Sequence, residues 1–243
     1  MELAKMLLEV IVYWVLSYFA SGIVHEGGHV IAGLVQGWKF ELLVVGPFKL
    51  YRAEDDRVKL GLEKNLVYWC GVGGTIPRGK SEDNIKKFAV ILLAGPLASI
   101  VFGGICGISL FYGLTIFRAM MTFVPLSMGI ACLLPNAKTG ILYTDGGRFL
   151  RIMKGGKTAA EERAVFDAAM LEQLEPGNKY DETGIEAMTT SKDLEFQYLG
   201  HYYAYLNAKK TNNVQEMKER MIRMEALRHK VPAAIIDMCA LEG

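Results

Sequence analysis

The sequence predicts a mainly α-helical membrane protein with several spans, and three observations support that fold class. The chain is 51% hydrophobic and only 22% charged, with a mean hydropathy of +0.22. The segment 88–137 contains a single charged side chain, Arg118. Between Met6 and Trp38 the only charges are Glu9 and Glu26. Since one span needs about 20 predominantly apolar residues, these segments predict about three transmembrane helices.

Neither a soluble fold nor a cleaved signal peptide accounts well for the apolar segments. A soluble protein with apolar buried helices would need more covering surface than the remaining chain offers. A cleaved signal peptide over residues 1–22 would have Lys5 as its whole positive region, and the apolar pattern continues beyond it. The net charge of +1 also argues against a nucleic-acid partner.

The basic residues predict how the spans are oriented. Residues 39–87 hold ten Lys or Arg, and the segment after Asp145 holds fourteen. The turn between the second and third spans holds only Arg118. Because cytoplasmic loops carry the excess of Lys and Arg, the long loop and the C-terminal region are predicted to be cytoplasmic. We therefore expect an integral protein of the cell (plasma) membrane, surrounded by the lipid bilayer.

The loop after the first span predicts β-strands on the cytoplasmic side. Segments 39–51 and 57–62 are rich in β-branched and aromatic residues and are bounded by turn signals at 46–47 and 54–56. The following segment, 68–80, is too rich in glycine for a helix and predicts an irregular segment or a bulged edge strand. A plain hairpin loop explains this composition as well as a functional role does.

Two histidines near the end of the first span predict a metal site. His25 and His29 are four residues apart, so a helix places both imidazoles on one face, about 40° apart. Glu26 lies on the neighbouring side, where it can hold a metal-bound water. This spacing is the HExxH motif of zinc sites. Mere pairing of His25 with Glu26 is a weaker interpretation, because ionisable groups at membrane depth are costly unless they bind or react.

A hydrolytic zinc site also needs a third protein ligand and an open fourth position. The extended HExxHxxGxxH motif is absent, since Ala32 and Val35 stand at its later positions. Asp145 follows the third span where the chain emerges on the same side as His29, so it is the candidate. An N-cap for a helix over 146–153 explains Asp145 equally well.

Three segments of this region carry motifs that can be compared with a known family. They are HEGGH at 25–29, LLAGPLAS at 92–99 and LLPNAKTGILYTDGG at 133–147. Together they resemble the site-2-type intramembrane zinc metalloproteases, over about residues 6–150. The chain resembles the minimal members of that family, which lack a PDZ or CBS module. It departs from them at Ser99, where the family usually has asparagine.

The resemblance implies a role for each candidate residue. His25, His29 and Asp145 would be the ligands of a Zn²⁺ cofactor. Glu26 would be the catalytic base, and Asn136 would stabilise the oxyanion.

The resemblance also implies hydrolysis of peptide bonds in membrane-embedded proteins or peptides, within or near their transmembrane segments. A substrate helix must unwind before it is cut, and an extended segment can then add to a strand edge. We expect either the strands within 39–60 or the segment 71–75 to accept it, with Gly73, Gly74 and Thr75 as substrate-binding residues. A catalytically idle zinc-binding scaffold that recruits partners, and a transporter or maturation factor, are the alternatives. Intact HEGGH favours proteolysis.

The composition divides the chain into two domains. Residues 1–155 are predicted to form the membrane-embedded metalloprotease domain, and 156–243 a cytoplasmic helical domain that is available to a protein partner. In the second domain, apolar residues recur at helical spacing. The helices are separated by breaks near 176–177, 184 and 211–213. A small helical hairpin is the preferred fold, and a tetratricopeptide-like fold is the alternative.

The remaining metal-binding residue types are weaker candidates. His201 and His229 belong to the charged C-terminal region, away from the membrane. Cys106 and Cys132 fall within spans, and the chain has no CxxC motif, so both are predicted to serve packing alone.

Overall fold

The computed structural model describes residues 2–135, 138–139 and 142–239. These residues form two compact units, which are described separately. The first, here called the membrane unit, comprises Met1–Arg78 and Lys87–Leu134. The second, here called the helical unit, comprises Gly79–Lys86 and Pro135–Gly243. The domain boundary at residue 155 stays a prediction.

Three long apolar helices dominate the membrane unit: α1 (Glu2–Val35), α2 (Asn84–Ile108) and α3 (Ile116–Leu133). Short 3₁₀ helices lie at Leu66–Cys70 and Ser109–Tyr112. Within the described residues, Glu2–Val35, Asn84–Tyr112 and Ile116–Leu133 are long and apolar enough to cross a membrane. The mainly helical, polytopic fold with about three spans is thereby confirmed.

Small residues allow these helices to pack closely. A Cβ added at Gly28 of α1 would lie 2.7 Å from the carbonyl oxygen of Ala94 on α2. One added at Gly129 of α3 would lie 2.7 Å from the carbonyl oxygen of Pro96. Membrane helices associate mainly through such close packing, because lipid is as apolar as the side chains it would replace.

The loop after α1 folds into an antiparallel sheet of β1 (Lys39–Val45), β2 (Phe48–Arg52), β3 (Val58–Leu62) and β4 (Val72–Ile76). The strand order is β3-β2-β1-β4, so β4 pairs only with β1 among the described strands. The register between these two shifts between Phe40 and Leu42. The two predicted strand segments and the predicted bulged edge strand are therefore confirmed.

This sheet packs along the C-terminal half of α1. The turn at Gly46 packs against Phe19, and a Cβ at Gly22 would lie 2.9 Å from Cγ1 of Val45. Thr75 of β4 packs against Gly33, nearer the end of the helix. Since an α-helix rises 1.5 Å per residue, the sheet accompanies α1 for about 21 Å. The strands thus run beside the segment that carries HEGGH.

Six helices form most of the helical unit. They are α4 (Asp145–Lys154), α5 (Gly156–Leu174), α6 (Glu182–Thr189), α7 (Leu194–Lys210), α8 (Val214–Arg228) and α9 (Ala233–Met238). Two short strands, β5 (Lys138–Thr139) and β6 (Leu142–Tyr143), pair antiparallel before α4. Helices α4 to α7 each pack against the next helix along the chain.

The core of this unit is centred on α7. Phe196 and Leu199 are fully buried and cluster with Met188 and Ile235 from α6 and α9. The predicted break at Gly184 was wrong: Gly184 lies in the first turn of α6, where its N–H donates to the Asp181 side chain. A side chain that caps a helix start explains this glycine better than a break does. The tetratricopeptide-like alternative stays a prediction.

Candidate metal centre

His25 and His29 lie side by side on α1, as the helical spacing predicts. Both are buried, and their ring centroids are 5.0 Å apart. The helix therefore presents two imidazoles towards the same part of the membrane unit. Two such nitrogens on one face are the usual start of a zinc site.

Both imidazoles are oriented by hydrogen bonds from α2. Nδ1 of His25 lies 3.0 Å from Oγ of Ser99, and Nδ1 of His29 lies 2.7 Å from the carbonyl oxygen of Ile91. Because a carbonyl only accepts, His29 must donate from Nδ1, so in the neutral ring Nε2 carries the lone pair. Metal-binding histidines commonly use their second nitrogen in this way. The pair therefore fits a zinc ion.

The LLAGPLAS segment of α2 supplies the space around these rings. A Cβ at Gly95 would overlap Nε2 of His29, so only glycine lets α2 approach the imidazole. Pro96 follows directly and is fully buried. It lacks an N–H, so the helical hydrogen bond to the Leu92 carbonyl is absent, one residue after the Ile91 carbonyl that accepts from His29. Ser99, one turn later, is fully buried and faces His25.

Glu26 is buried where α1 meets β4. A Cβ at Gly71 would lie 2.5 Å from Oε1 of Glu26, and one at Gly73 would lie 3.0 Å from Oε2. Gly71 also has a φ of +117°, a backbone conformation that residues with a side chain rarely adopt. Both glycines therefore let the backbone leading into β4 approach the carboxylate.

The three predicted substrate-binding residues lie on β4, which pairs with β1 at the end of the strand order. Gly73 approaches Glu26, and Thr75 packs on Gly33. Gly74 is opposite Leu42 of β1, and a Cβ there would meet that side chain at an ordinary 3.7 Å. The edge strand thus lies directly beside the candidate catalytic base.

Cys132 lies closer to this centre than the sequence indicated. Its Sγ and a ring nitrogen of His25 are within 4.8 Å of each other. A thiol on an apolar helix is usually a packing residue, and no local motif distinguished this one. Thiolate sulfur is nevertheless a zinc ligand, so α3 adds a donor of suitable type to the membrane unit.

Asp145, the predicted third ligand, is the first residue of α4 and belongs to the helical unit. The helix cap is Thr144, whose side chain accepts from the N–H of Gly147, so Asp145 is not the N-cap itself. Asn136, the predicted oxyanion stabiliser, lies outside the described residues.

The rival histidines differ from the pair on α1. His201 lies on α7, where burial, Arg220 and Arg223 lower its pKa to about 4. His229 is the C-cap of α8. That both are weaker metal-ligand candidates than His25 and His29 stays a prediction.

A bundle of membrane-spanning length that buries an HExxH motif is the arrangement of a membrane metalloprotease. Residues 3–144 match the family model described as Peptidase M50B-like, and the chain belongs to that family. The recognition of a site-2-type protease is thereby confirmed. No curated protein matches the chain. The family match ends at Thr144, one residue before Asp145.

The sequence did not identify four residues that shape the site, because each of them affects it only through a contact with His25, Glu26 or His29. Ser99 was noted only as a departure from the family pattern, and the carbonyl of Ile91 carries no sequence signal at all. Gly71 and Gly95 could have been suspected from the glycine content of their segments. Their contacts become visible only when α2 and β4 are packed on α1.

Proposed function

We propose that this protein is an intramembrane zinc metalloprotease that hydrolyses peptide bonds of membrane-embedded proteins or peptides, within or near their transmembrane segments. The observation that carries the proposal is the buried pair His25 and His29, with each Nδ1 held from α2 and Glu26 alongside. Membership of the Peptidase M50B-like family supports the same reaction class.

In the proposed site, zinc would be held by His25, His29 and Asp145. When bound, zinc lowers the pKa of a water to about 7 and polarises the carbonyl that is attacked. Asn136 would donate to the oxygen that gains charge as the carbonyl is attacked. The roles of Asp145 and Asn136 rest on the motif resemblance.

Glu26 is the proposed general base. Its carboxylate would accept a proton from the attacking water and later give that proton to the leaving amine nitrogen. The C–O bond to the water oxygen would form first, and the C–N bond would then break as its nitrogen takes up that proton, so the side chain gains or loses no net proton. Burial beside β4 keeps this carboxylate close to where a peptide on that strand would lie.

The proposed substrate site is the edge of β4, with Gly73, Gly74 and Thr75. An extended peptide that adds to this edge gains main-chain hydrogen bonds, which compensate for those lost when its helix unwinds. The approach of Gly73 to Glu26 supports this placement. We further propose that the site lies near the cytoplasmic face of the cell membrane. The helical unit would then be cytoplasmic and open to a protein partner.

A Glu26→Gln variant tests the reaction, with Glu9→Gln on the same helix as the matched control. Crosslinking in native membranes would first capture the substrate bound to Glu26→Gln. The captured protein would then be incubated with wild-type enzyme and both variants in proteoliposomes. We expect Glu26→Gln to keep its zinc, measured by elemental analysis, and to cleave at least ~100-fold more slowly, as for loss of a general base. Glu9→Gln should behave as wild type.

Wild-type cleavage by Glu26→Gln would refute the proposal and favour the idle scaffold. Absence of zinc from wild-type protein would refute the metal site itself. An equal loss in Glu9→Gln would show that the helix, rather than the base, had been disturbed.

A further inference from the structure

The helix that begins with Asp145 is tied to the helical unit by buried charges. Helix α4 carries Arg148 and Arg151. Arg151 donates from Nε to Oε1 of Glu162 at 2.8 Å and from Nη2 to Oε2 of Glu161 at 2.5 Å. Arg148 donates from Nε to the second oxygen of Glu162 at 2.9 Å. Both acidic residues lie on α5, so two turns of α4 are bonded to one turn of α5.

These acidic side chains are deep in the unit. Glu162 is fully buried and Glu161 is 3% exposed, whereas the Arg151 side chain is 12% exposed. A carboxylate at such depth is stable only with a well-matched cation, and removing one partner leaves an uncompensated buried charge. The planar guanidinium bonds Glu162 and Glu161 through two different nitrogens held in a fixed geometry, which the single nitrogen of an ammonium cannot reproduce. The attachment of α4 therefore depends on arginine at position 151.

A second contact holds the chain on the other side of Asp145. Tyr143 of β6 donates its hydroxyl to Oδ2 of Asp193 at 2.9 Å, and Arg151 donates to the same oxygen at 3.3 Å. The guanidinium carbon of Arg151 lies 4.4 Å from the centre of the Tyr143 ring.

Asp145 is thus bracketed by two anchored positions. Tyr143 is two residues before it, and Arg151 follows by six residues, about 9 Å along the helix. Thr144, which is buried, caps the helix between them. Tyr143 and Arg151 both bond to residues of the helical unit, so that unit fixes the backbone that carries the Asp145 carboxylate.

We propose that the helical unit positions the third metal ligand, and that Arg151 is the residue through which it acts. This inference rests on the proposed function, which makes Asp145 a zinc ligand. A carboxylate on an unanchored segment would have to be ordered each time metal binds, whereas an anchored one is already placed. Groups that hydrogen-bond a metal ligand commonly change metal affinity by about 10- to 100-fold, and we expect an anchor of the ligand's backbone to act at the lower end of that range.

The test compares Arg151→Lys with Arg163→Lys in the full chain in nanodiscs. Arg163 also makes ion pairs in the helical unit, with Glu82 and Asp167, but none that involve α4 among the described residues. Hydrogen exchange should show faster exchange of the α4 amides in Arg151→Lys, with α7 and α8 still protected. Zinc affinity should fall at least ~10-fold, and the visible spectrum of the cobalt-loaded protein should change. Arg163→Lys should match wild type in all three measurements.

Tyr143→Phe is the milder variant if Arg151→Lys unfolds the unit, since it removes one hydroxyl and keeps the ring. It should raise α4 exchange and lower zinc affinity by a smaller factor. Unchanged exchange in both variants would overturn the anchoring. Faster exchange with unchanged zinc affinity and cobalt spectrum would overturn the positioning role.

Asp145→Asn separates failure of this inference from failure of the proposed site. If Asp145→Asn weakens zinc binding and Arg151→Lys does not, the positioning role alone is wrong. If Asp145→Asn binds zinc as wild type does while His25→Ala loses it, Asp145 is not a ligand. The inference then falls together with that part of the proposed function.

Discussion

Replacing Ser99 by alanine removes the hydroxyl that orients the first histidine of the motif. Oγ of Ser99 lies 3.0 Å from Nδ1 of His25, and Ser99 is fully buried. Alanine keeps the helix and adds no atom, so the change is confined to this hydrogen bond. The imidazole then loses a contact that fixes its rotation towards the metal.

The expected loss of zinc affinity in Ser99→Ala follows from two estimates that agree. Loss of a hydrogen-bond partner from a metal-binding histidine costs about 10- to 100-fold in affinity, or about 1.4–2.8 kcal/mol. Leaving a buried polar group without its partner costs about 1–3 kcal/mol. We therefore expect the zinc dissociation constant of Ser99→Ala to rise by about 10- to 100-fold.

Competition titration against a chromophoric chelator, in detergent, measures this constant directly. Ser127→Ala is the matched control, because Ser127 is an exposed serine on α3 whose hydroxyl donates to the Val124 carbonyl. Saturating zinc should restore cleavage by Ser99→Ala. A dissociation constant within about twofold of wild type would refute the role assigned to Ser99, since the loss expected is tenfold or more. An equal loss in Ser127→Ala would refute it too.

Two further predictions concern the glycines around the site. Gly95→Ala should lose zinc, because the added methyl would overlap the His29 ring, whereas Gly104→Ala on the same helix should retain it, since nothing lies within 4 Å of a Cβ there. Elemental analysis measures the zinc content of both variants, and retained zinc in Gly95→Ala would contradict the packing described. Gly74→Pro should reduce cleavage at least ~10-fold without loss of zinc, because it blocks the β4 edge, whereas Lys59→Pro on β3 should cleave normally. Full activity in Gly74→Pro would count against substrate binding on this strand.

Local patterns allowed much of the membrane unit to be predicted. Apolar runs located the three spans, and β-branched and aromatic residues between turn signals located β1 to β3. The glycine-rich segment was recognised as an irregular edge strand, now β4. The break predicted at Gly184 was wrong because a capping aspartate can place glycine inside the first helical turn. Capping depends on a contact between specific side chains and backbone, which composition does not show.

The candidate site, too, was predicted only in part from local patterns. Spacing within one helix brought His25, Glu26 and His29 together, since helical geometry is local. Ser99 could be read only as a departure from a pattern, because its function depends on α2 lying against α1. Cys132 gave no signal for the same reason, and its nearness to His25 depends on the packing of α3.

By itself, the sequence determined that this chain crosses a membrane, that a helix presents two histidines and a glutamate, and that a strand-rich loop follows. Each of these depends on residues close together in the chain, through hydrophobicity or a fixed helical repeat. The tertiary structure alone decided which groups orient the imidazoles, which glycines approach Glu26, and how α4 is anchored through Arg151. Those contacts join residues far apart in sequence, and close packing, rather than any local pattern, determines which of them meet.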